Sequence, residues 1–271
     1  MYDYITQTSE KNLKPITKQI LIETFKKLGI KRGDILLVHS SLSELGYVIG
    51  GAETVFLALV EMVGSEGTLV VPSQTVEISY PSTWQYPPVP EEWFEIIREN
   101  LPAYHEKKSF SKAMGQFSNF LGHLPTAKRS QHPMYSFTAV GLNAEKITSH
   151  HEFDFPFGQT SPLAKLYDMG AKILIIGTDF ETNTSLHLSE NFLGREVIIE
   201  SSKIYDNGVQ KWTDFKNVDL DKYDDYLEIQ QRYFQQTVPN MEMINDATIY
   251  CFDMKSCVDF TTEYYIRKEK S

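Results

Sequence analysis

Two titratable residues, His187 and Glu190, lie in the stretch Gly177-Thr-Asp-Phe-Glu-Thr-Asn-Thr-Ser-Leu-His-Leu-Ser-Glu190. An apolar run, Ala171-Lys-Ile-Leu-Ile-Ile-Gly177, precedes it, short and closed by glycine, as a buried strand would be. The spacing then predicts a polar loop and a helix over Thr184 to Gly194, with Thr182, Asn183 or Thr184 as cap and Gly194 as stop. His187 and Glu190, at i and i+3, would share one helix face. An imidazole where a strand hands over to a helix lies where open α/β sheets hold ligands. The plainer alternative is a histidine on the helix surface or one hydrogen-bonded in the core.

Similar polar clusters follow other predicted strands. Ser40-Ser-Leu-Ser43 comes after Ile35-Leu-Leu-Val-His-Ser40, and Ser73-Gln-Thr75 after Gly67-Thr-Leu-Val-Val-Pro72. Hydroxyls, an amide and backbone N–H groups at strand ends suit a ligand rich in amides and carbonyls, although each cluster alone also fits an ordinary turn or cap. Arg129 and His132 in Arg-Ser-Gln-His-Pro133 offer a forked donor and an imidazole that could meet a phosphate, or merely a surface turn with a salt bridge. Gly50-Gly51 lacks the spacing of a dinucleotide or P-loop motif. Neither H-E-x-x-H nor a Cys-His knuckle is present, so no metal is expected, and G-x-S-x-G is absent too.

The elements that must position these groups read as α/β. A helix over Thr17–Leu28, the first strand, a helix over Ala52–Val63 and the second strand make a β-loop-α-β unit long enough for a parallel crossover. Residues 73–110 then break the pattern with five prolines among Trp84, Tyr86, Trp93 and Phe94, an ordered insertion or lid over the sheet edge. A helix over Met114–Leu121 with Ser111 as cap, a strand at Ser136–Val140, helices at 143–151 and Ser161–Tyr167, a turn at Asp206-Asn-Gly208, a helix over Tyr223–Gln236, a strand at Ala247–Phe252 and a charged final helix complete the reading. Residues 1–271 are expected to form one domain, with 196–271 its more irregular half.

Composition narrows the classes. Of 271 residues 41% are hydrophobic, enough for a sizeable core, and the net charge of −10 with no basic run argues against nucleic acid or an anionic membrane as partner. Two cysteines, Cys251 and Cys257, make a disulfide framework improbable. No leader and no run of about 18 apolar residues is visible, so a cytoplasmic protein is expected.

Taken in order, His39-Ser-Ser-Leu-Ser-Glu-Leu-Gly46, Gly50-Gly-Ala-Glu-Thr-Val55, Gly67-Thr-Leu-Val-Val-Pro-Ser-Gln-Thr75, Arg129-Ser-Gln-His-Pro133, Ser161-Pro-Leu163 and Asn183-Thr-Ser-Leu-His-Leu-Ser-Glu190 resemble the successive signatures of the aminoglycoside 3-N-acetyltransferase family. Beyond them only Thr213-Asp-Phe215 resembles the family's acidic D-D-F element, with Thr213 in place of its first Asp. The resemblance implies a central mixed sheet flanked by helices, the antibiotic N-acetyltransferase-like fold, and acetyl-CoA as co-substrate in a deep cleft. It implies that Ser40, Ser41, Leu42, Ser43, Pro72, Ser73 and Gln74 line the pantetheine path and that Arg129, Ser130 and His132 lie near the cofactor.

His187 matches the family's general base, and its chemistry agrees: an ammonium cannot attack a thioester, and imidazole accepts a proton near neutral pH. Thr184 or a nearby backbone N–H is the expected donor to the acetyl oxygen. A carboxylate should orient His187; Asp214 matches the family acid and Glu190 is nearer in sequence, and both stay open. Asp179, Glu181, Glu190 and Asp214 are acidic candidates for holding a polycationic acceptor. With no cysteine in the motifs, direct transfer in a ternary complex is expected. The alternatives are an acetyltransferase for a non-antibiotic amine and a non-catalytic CoA or small-amine binding protein; the oligomeric state stays open, a homodimer included.

Overall fold

The structure, a computed structural model, describes residues 3–85, 87–110, 112–220 and 222–270. Tyr86 of the aromatic insertion and Ser111, the expected cap, fall outside the described residues.

Helix α1 (Asp3–Glu10) was not legible from the sequence, whereas α2 (Lys18–Lys27) begins where expected, its first turn capped by the Thr17 hydroxyl, which accepts from the Ile20 N–H at 3.3 Å. Strand β1 (Ile35–Ser40), helix α3 (Gly51–Val63) and strand β2 (Thr68–Pro72) form the parallel unit, Ile35 pairing with Thr68. The insertion follows as three 3-10 turns and helix α4 (Phe94–Asn100). Then come α5 (Gly115–Gly122), β3 (Lys128–Arg129), β4 (Phe137–Gly141) and α6 (Ala144–Thr148). Helix α7 (Pro162–Asp168) starts on proline, and the Ser161 hydroxyl caps it by accepting from Ala164 N–H.

Strand β5 (Lys172–Ile176) lies parallel to β1 on the side away from β2. The sheet order β3-β4-β2-β1-β5-β9-β8 therefore has three parallel strands at its centre and antiparallel strands on both flanks. Because the chain leaves β1 for β2 on one side and pairs it with β5 on the other, the loops following all three strands converge at one end of the sheet. That is the crevice where such sheets bind ligands.

The sheet buries both faces. Leu36 and Val38 of β1 pack with Leu21, Phe25, Val55 and Leu59 of α2 and α3, while Leu37 packs with Phe157, Leu186 and Val258 on the other side. Alternation along the strand thus sends His39 toward the second face.

After β5 come α8 (Leu186–Asn191), the two-stranded hairpin β6 (Val197–Asp206) and β7 (Val209–Val218), α9 (Tyr226–Gln236), β8 (Asn240–Ile244), β9 (Ala247–Asp253) and α10 (Met254–Lys270). The described residues after 196 hold two ten-residue strands and a 17-residue helix. The hairpin turn is built by Asn207 and Gly208, both at positive φ, as a tight hairpin turn requires. The insertion packs on this hairpin rather than lying over the sheet edge alone. Ser79 bridges Ser202, the Lys203 ammonium donates to the Arg98 and Glu99 carbonyls at 2.9 Å each, and Trp212 Nε1 donates to the Arg98 carbonyl at 3.2 Å. Among the described residues no helix is long and apolar enough to cross a membrane.

Candidate active site

A cavity of about 960 Å³ opens where the loops after β1, β2 and β5 meet. Ser40, Ser41, Leu42 and Ser43 form one wall with Pro72 and Gln74, joined by Gln85 of the insertion and the first turn of α5. The opposite wall is Thr178, Phe180 to Thr184, His187 and the Tyr223–Tyr226 segment. Gly177 lets the walls approach: its φ is +65°, and a Cβ there would sit 2.8 Å from the Ser41 carbonyl. Leucine or alanine in its place would push the β1 and β5 loops apart.

The described part of the expected site divides sharply. Ser40, Ser41, Leu42, Ser43, Pro72, Gln74, Thr184 and His187 all reach the cavity. Ser73 does not, because its hydroxyl turns inward to Thr138 Oγ1 at 2.7 Å and to Ser118. Arg129, Ser130 and His132 do not line it either. Ser130 and His132 are fully buried. The Ser130 hydroxyl donates to His151 Nδ1 at 2.9 Å and accepts from Phe137 N–H, while His132 donates through Nε2 to the Phe153 carbonyl at 3.1 Å and accepts two backbone N–H groups at Nδ1. Arg129 donates to the Ser73, Ser109 and Glu106 carbonyls and to Ser136 Oγ. Its guanidinium, between the Tyr104 and Phe110 rings, faces a separate cavity of about 780 Å³. These three residues tie the chain together at β3–β4, and none of them lines the cavity that holds His187.

The helix carrying His187 is shorter than expected and starts just after Ser185, whose N–H and hydroxyl both donate to Asn183 Oδ1. His187 Nδ1 donates to Glu190 Oε2 at 2.7 Å across the i,i+3 spacing. Its side chain keeps 19% of its surface open while Glu190 is fully buried. That bond fixes the tautomer in which Nε2 carries the lone pair. Phe157 lies tilted against the ring, centroids 4.9 Å apart, and Tyr226 meets it edge-on at 6.3 Å. Glu190 spends its other oxygen on Arg195 at 2.7 Å, so it cannot also hold a substrate ammonium.

Asp214 sits exposed on β7 and accepts from the Ser201 hydroxyl across the hairpin. The acid against His187 is Glu190, and Asp214 is a surface residue. Asp179 caps its own turn, accepting from the Glu181 N–H at 3.0 Å. The carboxylates that do line the cavity are Glu181 and Asp224, both exposed. The Thr184 N–H is taken by the Thr182 carbonyl at 2.9 Å, which leaves its hydroxyl as the donor facing the cavity.

Sequence reasoning gave no role to His39 or to the Tyr223-Asp-Asp-Tyr226 segment. His39 lines the cavity, yet its Nε2 is buried and finds no hydrogen-bond partner among the described residues. Burial, and secondarily the nearby His187, push its pKa down to about 3, so it is neutral across the physiological range. The signal for the second omission was present: two tyrosines flanking two acids just before a helix start. Among the described residues no cluster of His, Cys, Asp and Glu is arranged to hold a metal ion.

An imidazole on a buried carboxylate, between a wall of hydroxyls and amides and a wall bearing acids, is the arrangement that can take a proton from an amine beside an acyl group. Proteins with related sequences carry names that match this chemistry. The Bacillus subtilis SPbeta prophage-derived aminoglycoside N(3')-acetyltransferase-like protein YokD is 38% identical over 94% of each chain. The crystal structure of YokD superposes with a TM-score of 0.93, at 36% identity, covering 100% of this chain and 99% of that one. Aminoglycoside N(3)-acetyltransferase VIII of Streptomyces fradiae is 33% identical, covering 77% of this chain and 73% of its own. A structure titled AAC-IIIb binary with CoASH shares the fold, with a TM-score of 0.83 at 24% identity, covering 94% of this chain and 98% of that one. The aminoglycoside 3-N-acetyltransferase family matches residues 37–266, and to that family of acetyl-transferring enzymes the chain belongs.

Proposed function

We propose that the protein transfers acetyl from acetyl-CoA to an amino group of an aminoglycoside, at the 3-position, or of a similar polyamine, by direct transfer in a ternary complex. The observation that carries this reading is the His187–Glu190 pair, set where the hydroxyl wall and the acid-bearing wall of one cavity meet.

Acetyl-CoA supplies the activated acetyl group, and the cavity suits it. About 960 Å³ is ample for a pantetheine arm and acetyl group. Ser40, Ser41, Ser43 and Gln74 offer hydroxyls and an amide to the amides of that arm. Glu181 and Asp224 offer negative charge to an acceptor carrying several ammonium groups, in a chain of net charge −10. His187 accepts the proton of the attacking amine at Nε2, while Glu190 holds the ring and stabilises the imidazolium that forms. The Thr184 hydroxyl donates to the acetyl oxygen as charge builds on it. Both cysteines are buried, which disfavours a covalent acetyl-enzyme on a thiol.

Release of free thiol from acetyl-CoA, measured against a panel of aminoglycosides and simpler polyamines, tests the reading. Turnover with at least one aminoglycoside acylated at its 3-amino group supports it. Turnover only with other amines replaces the acceptor, and acetyl-CoA binding without turnover on any amine leaves a binding protein.

A further inference from the structure

Behind His187 and Glu190 stands a buried cation. The chain leaves α8, turns at Gly194 with φ +64°, and returns Arg195 beneath the helix with only 2% of its side chain exposed. Arg195 Nη1 donates to Glu190 Oε1 at 2.7 Å, while Nε donates to Glu269 Oε1 at 3.1 Å near the end of α10. Its guanidinium lies over the Tyr265 ring at 4.6 Å and the Tyr223 ring at 5.5 Å. Nη2 has no partner among the described residues.

The arrangement bears on what kind of base His187 can be. A fully buried carboxylate with an imidazole as sole partner favours the imidazolium, and a protonated imidazole cannot take a proton. Here each carboxylate oxygen has its own partner, and Arg195, shared with Glu269, offsets part of the Glu190 charge before His187 gains a proton. We propose that Arg195 is a positioning residue that locks the Glu190 carboxylate in place and keeps His187 neutral at working pH, and that Glu269 of α10 holds Arg195 there. The inference rests on the reading of His187 as the base.

The surrounding groups do not replace Arg195. From β1, His39 faces the site but is neutral. From α9 and the segment before it come Tyr226, Tyr223 and Asp225, the last bonded to Lys268 at 2.7 Å and to Tyr265. From α10 come Tyr265 and Glu269, and Lys222 lies 4.0 Å from Glu269. Glu181 and Asp224 stand at the exposed wall. Burial first, and then the Glu190 charge, raise the Tyr265 hydroxyl above its usual range, so the carboxylate is felt on the α10 side as well. Arg195 is the cation in direct contact with Glu190.

The signs follow. Removing the Arg195 charge favours imidazolium and moves the His187 titration to higher pH. Removing the Glu269 charge leaves Arg195 undivided on Glu190 and moves it to lower pH, by less, because Glu269 is partly exposed.

The test is an NMR titration of the His187 ring in the full chain, alongside the pH profile of kcat/KM for acetyl transfer. Arg195→Met is expected to raise the ring midpoint and the acid limb together by about one pH unit and to cut kcat near pH 7 about tenfold, with both KM values within about twofold. Arg195→Lys, which keeps the charge without the fork, should restore most of the midpoint. A folded Arg195→Met variant whose activity falls equally at every pH, with the ring midpoint unmoved, would overturn the proposal and leave a packing role. Should that variant not fold, Glu269→Gln decides: a downward shift of the midpoint supports the proposal, and an unmoved or raised midpoint defeats it. Failure of the base reading looks different, because His187→Ala would then retain transfer while the ring midpoint still responded to Arg195.

Discussion

The His187 region and the Arg129–His132 corner are made of the same materials. Each sets a histidine and a serine close to a strand of the main sheet, in a polar run that type and spacing mark as chemical, and each has an arginine nearby. In the first, the histidine is bonded to a carboxylate and keeps one edge on the cavity. In the second, nearly every partner is main chain. Arg129 reaches the Ser73, Ser109 and Glu106 carbonyls, and His132 and His151 are closed by backbone and by Ser130. Main-chain partners are satisfied by the fold itself and leave nothing for a ligand to complete. A carboxylate partner, by contrast, changes its stabilising effect as the imidazole gains a proton. The identity of the partner is what separates the two histidines, and it is the ground on which His187 is proposed as the base.

The largest expected effect breaks the comparison on the reacting side. His187→Ala should lower acetyl transfer about 10²–10⁴-fold, the usual cost of losing a general base, while acetyl-CoA binding and thermal stability change little. Calorimetric binding of CoA alongside turnover measures both. Near-normal turnover would remove His187 from the mechanism.

On the other side the sign reverses, since Arg129→Met should cost stability rather than chemistry. It strips donors from the Ser73, Ser109 and Glu106 carbonyls and from Ser136, a loss of about 2–4 kcal/mol for a charged group with several bonds. Urea unfolding should show that loss, while kcat per folded molecule stays within about threefold. A variant of unchanged stability with a raised KM for acetyl-CoA would return Arg129 to the cofactor.

The corner should also make the protein labile to acid. Burial lowers the pKa of His132 well below its usual value, a trend the neighbouring His151 reinforces, and burial pushes His151 itself down to about 4. His39 behaves alike, at about 3. These side chains are neutral in the folded state and protonate on unfolding, so the unfolded chain binds more protons as pH falls below about 6.5. Their contribution is complete above that pH and declines through the range from 6.5 toward 4, at up to about 1.4 kcal/mol per pH unit for each histidine. Denaturant melts from pH 7.5 to 4.5 check this, and His151→Asn should flatten the slope provided that variant folds.

Much of this was legible in the chain, for local reasons. The β1, β2 and β5 runs are short, apolar and bounded by glycine or polar clusters, and the i,i+3 spacing of His187 and Glu190 guarantees proximity once a helix forms. Illegible were features that depend on distant pairing. Asp214 matched a family motif, but the β6–β7 register sets it across from Ser201, and Phe215 of the same motif turns inward to meet His132 edge-on at 4.9 Å. Strand β8, Asn-Met-Glu-Met-Ile, carries little β-branched signal and is held by pairing with β9. The hairpin strands hid because Val197, Ile198 and Ile199 are all exposed, so no alternation marks a buried face.

The smallest effect concerns the exposed wall of the cavity. Of the acids expected to hold a cationic acceptor, Glu190 is consumed by His187 and Arg195, while Asp214, bonded to Ser201, and Asp179, bonded within its own turn, do not line the cavity. Glu181 remains, joined by Asp224 on the segment before α9. Both are exposed, so each contact to an ammonium is worth at most about 1 kcal/mol and is weakened by salt. Glu181→Gln and Asp224→Asn should therefore each raise the acceptor KM about two- to fivefold, with kcat and the KM for acetyl-CoA unchanged. For the parent protein the acceptor KM should climb between low salt and about 0.5 M salt, and the double variant should show a flatter dependence. Asp214→Asn, bound into the hairpin on the surface, should change neither quantity. Should the double variant keep both the parent KM and its salt dependence, the acceptor is held by other groups, and the contrast between a neutral wall for the acetyl donor and an acidic wall for the amine is lost.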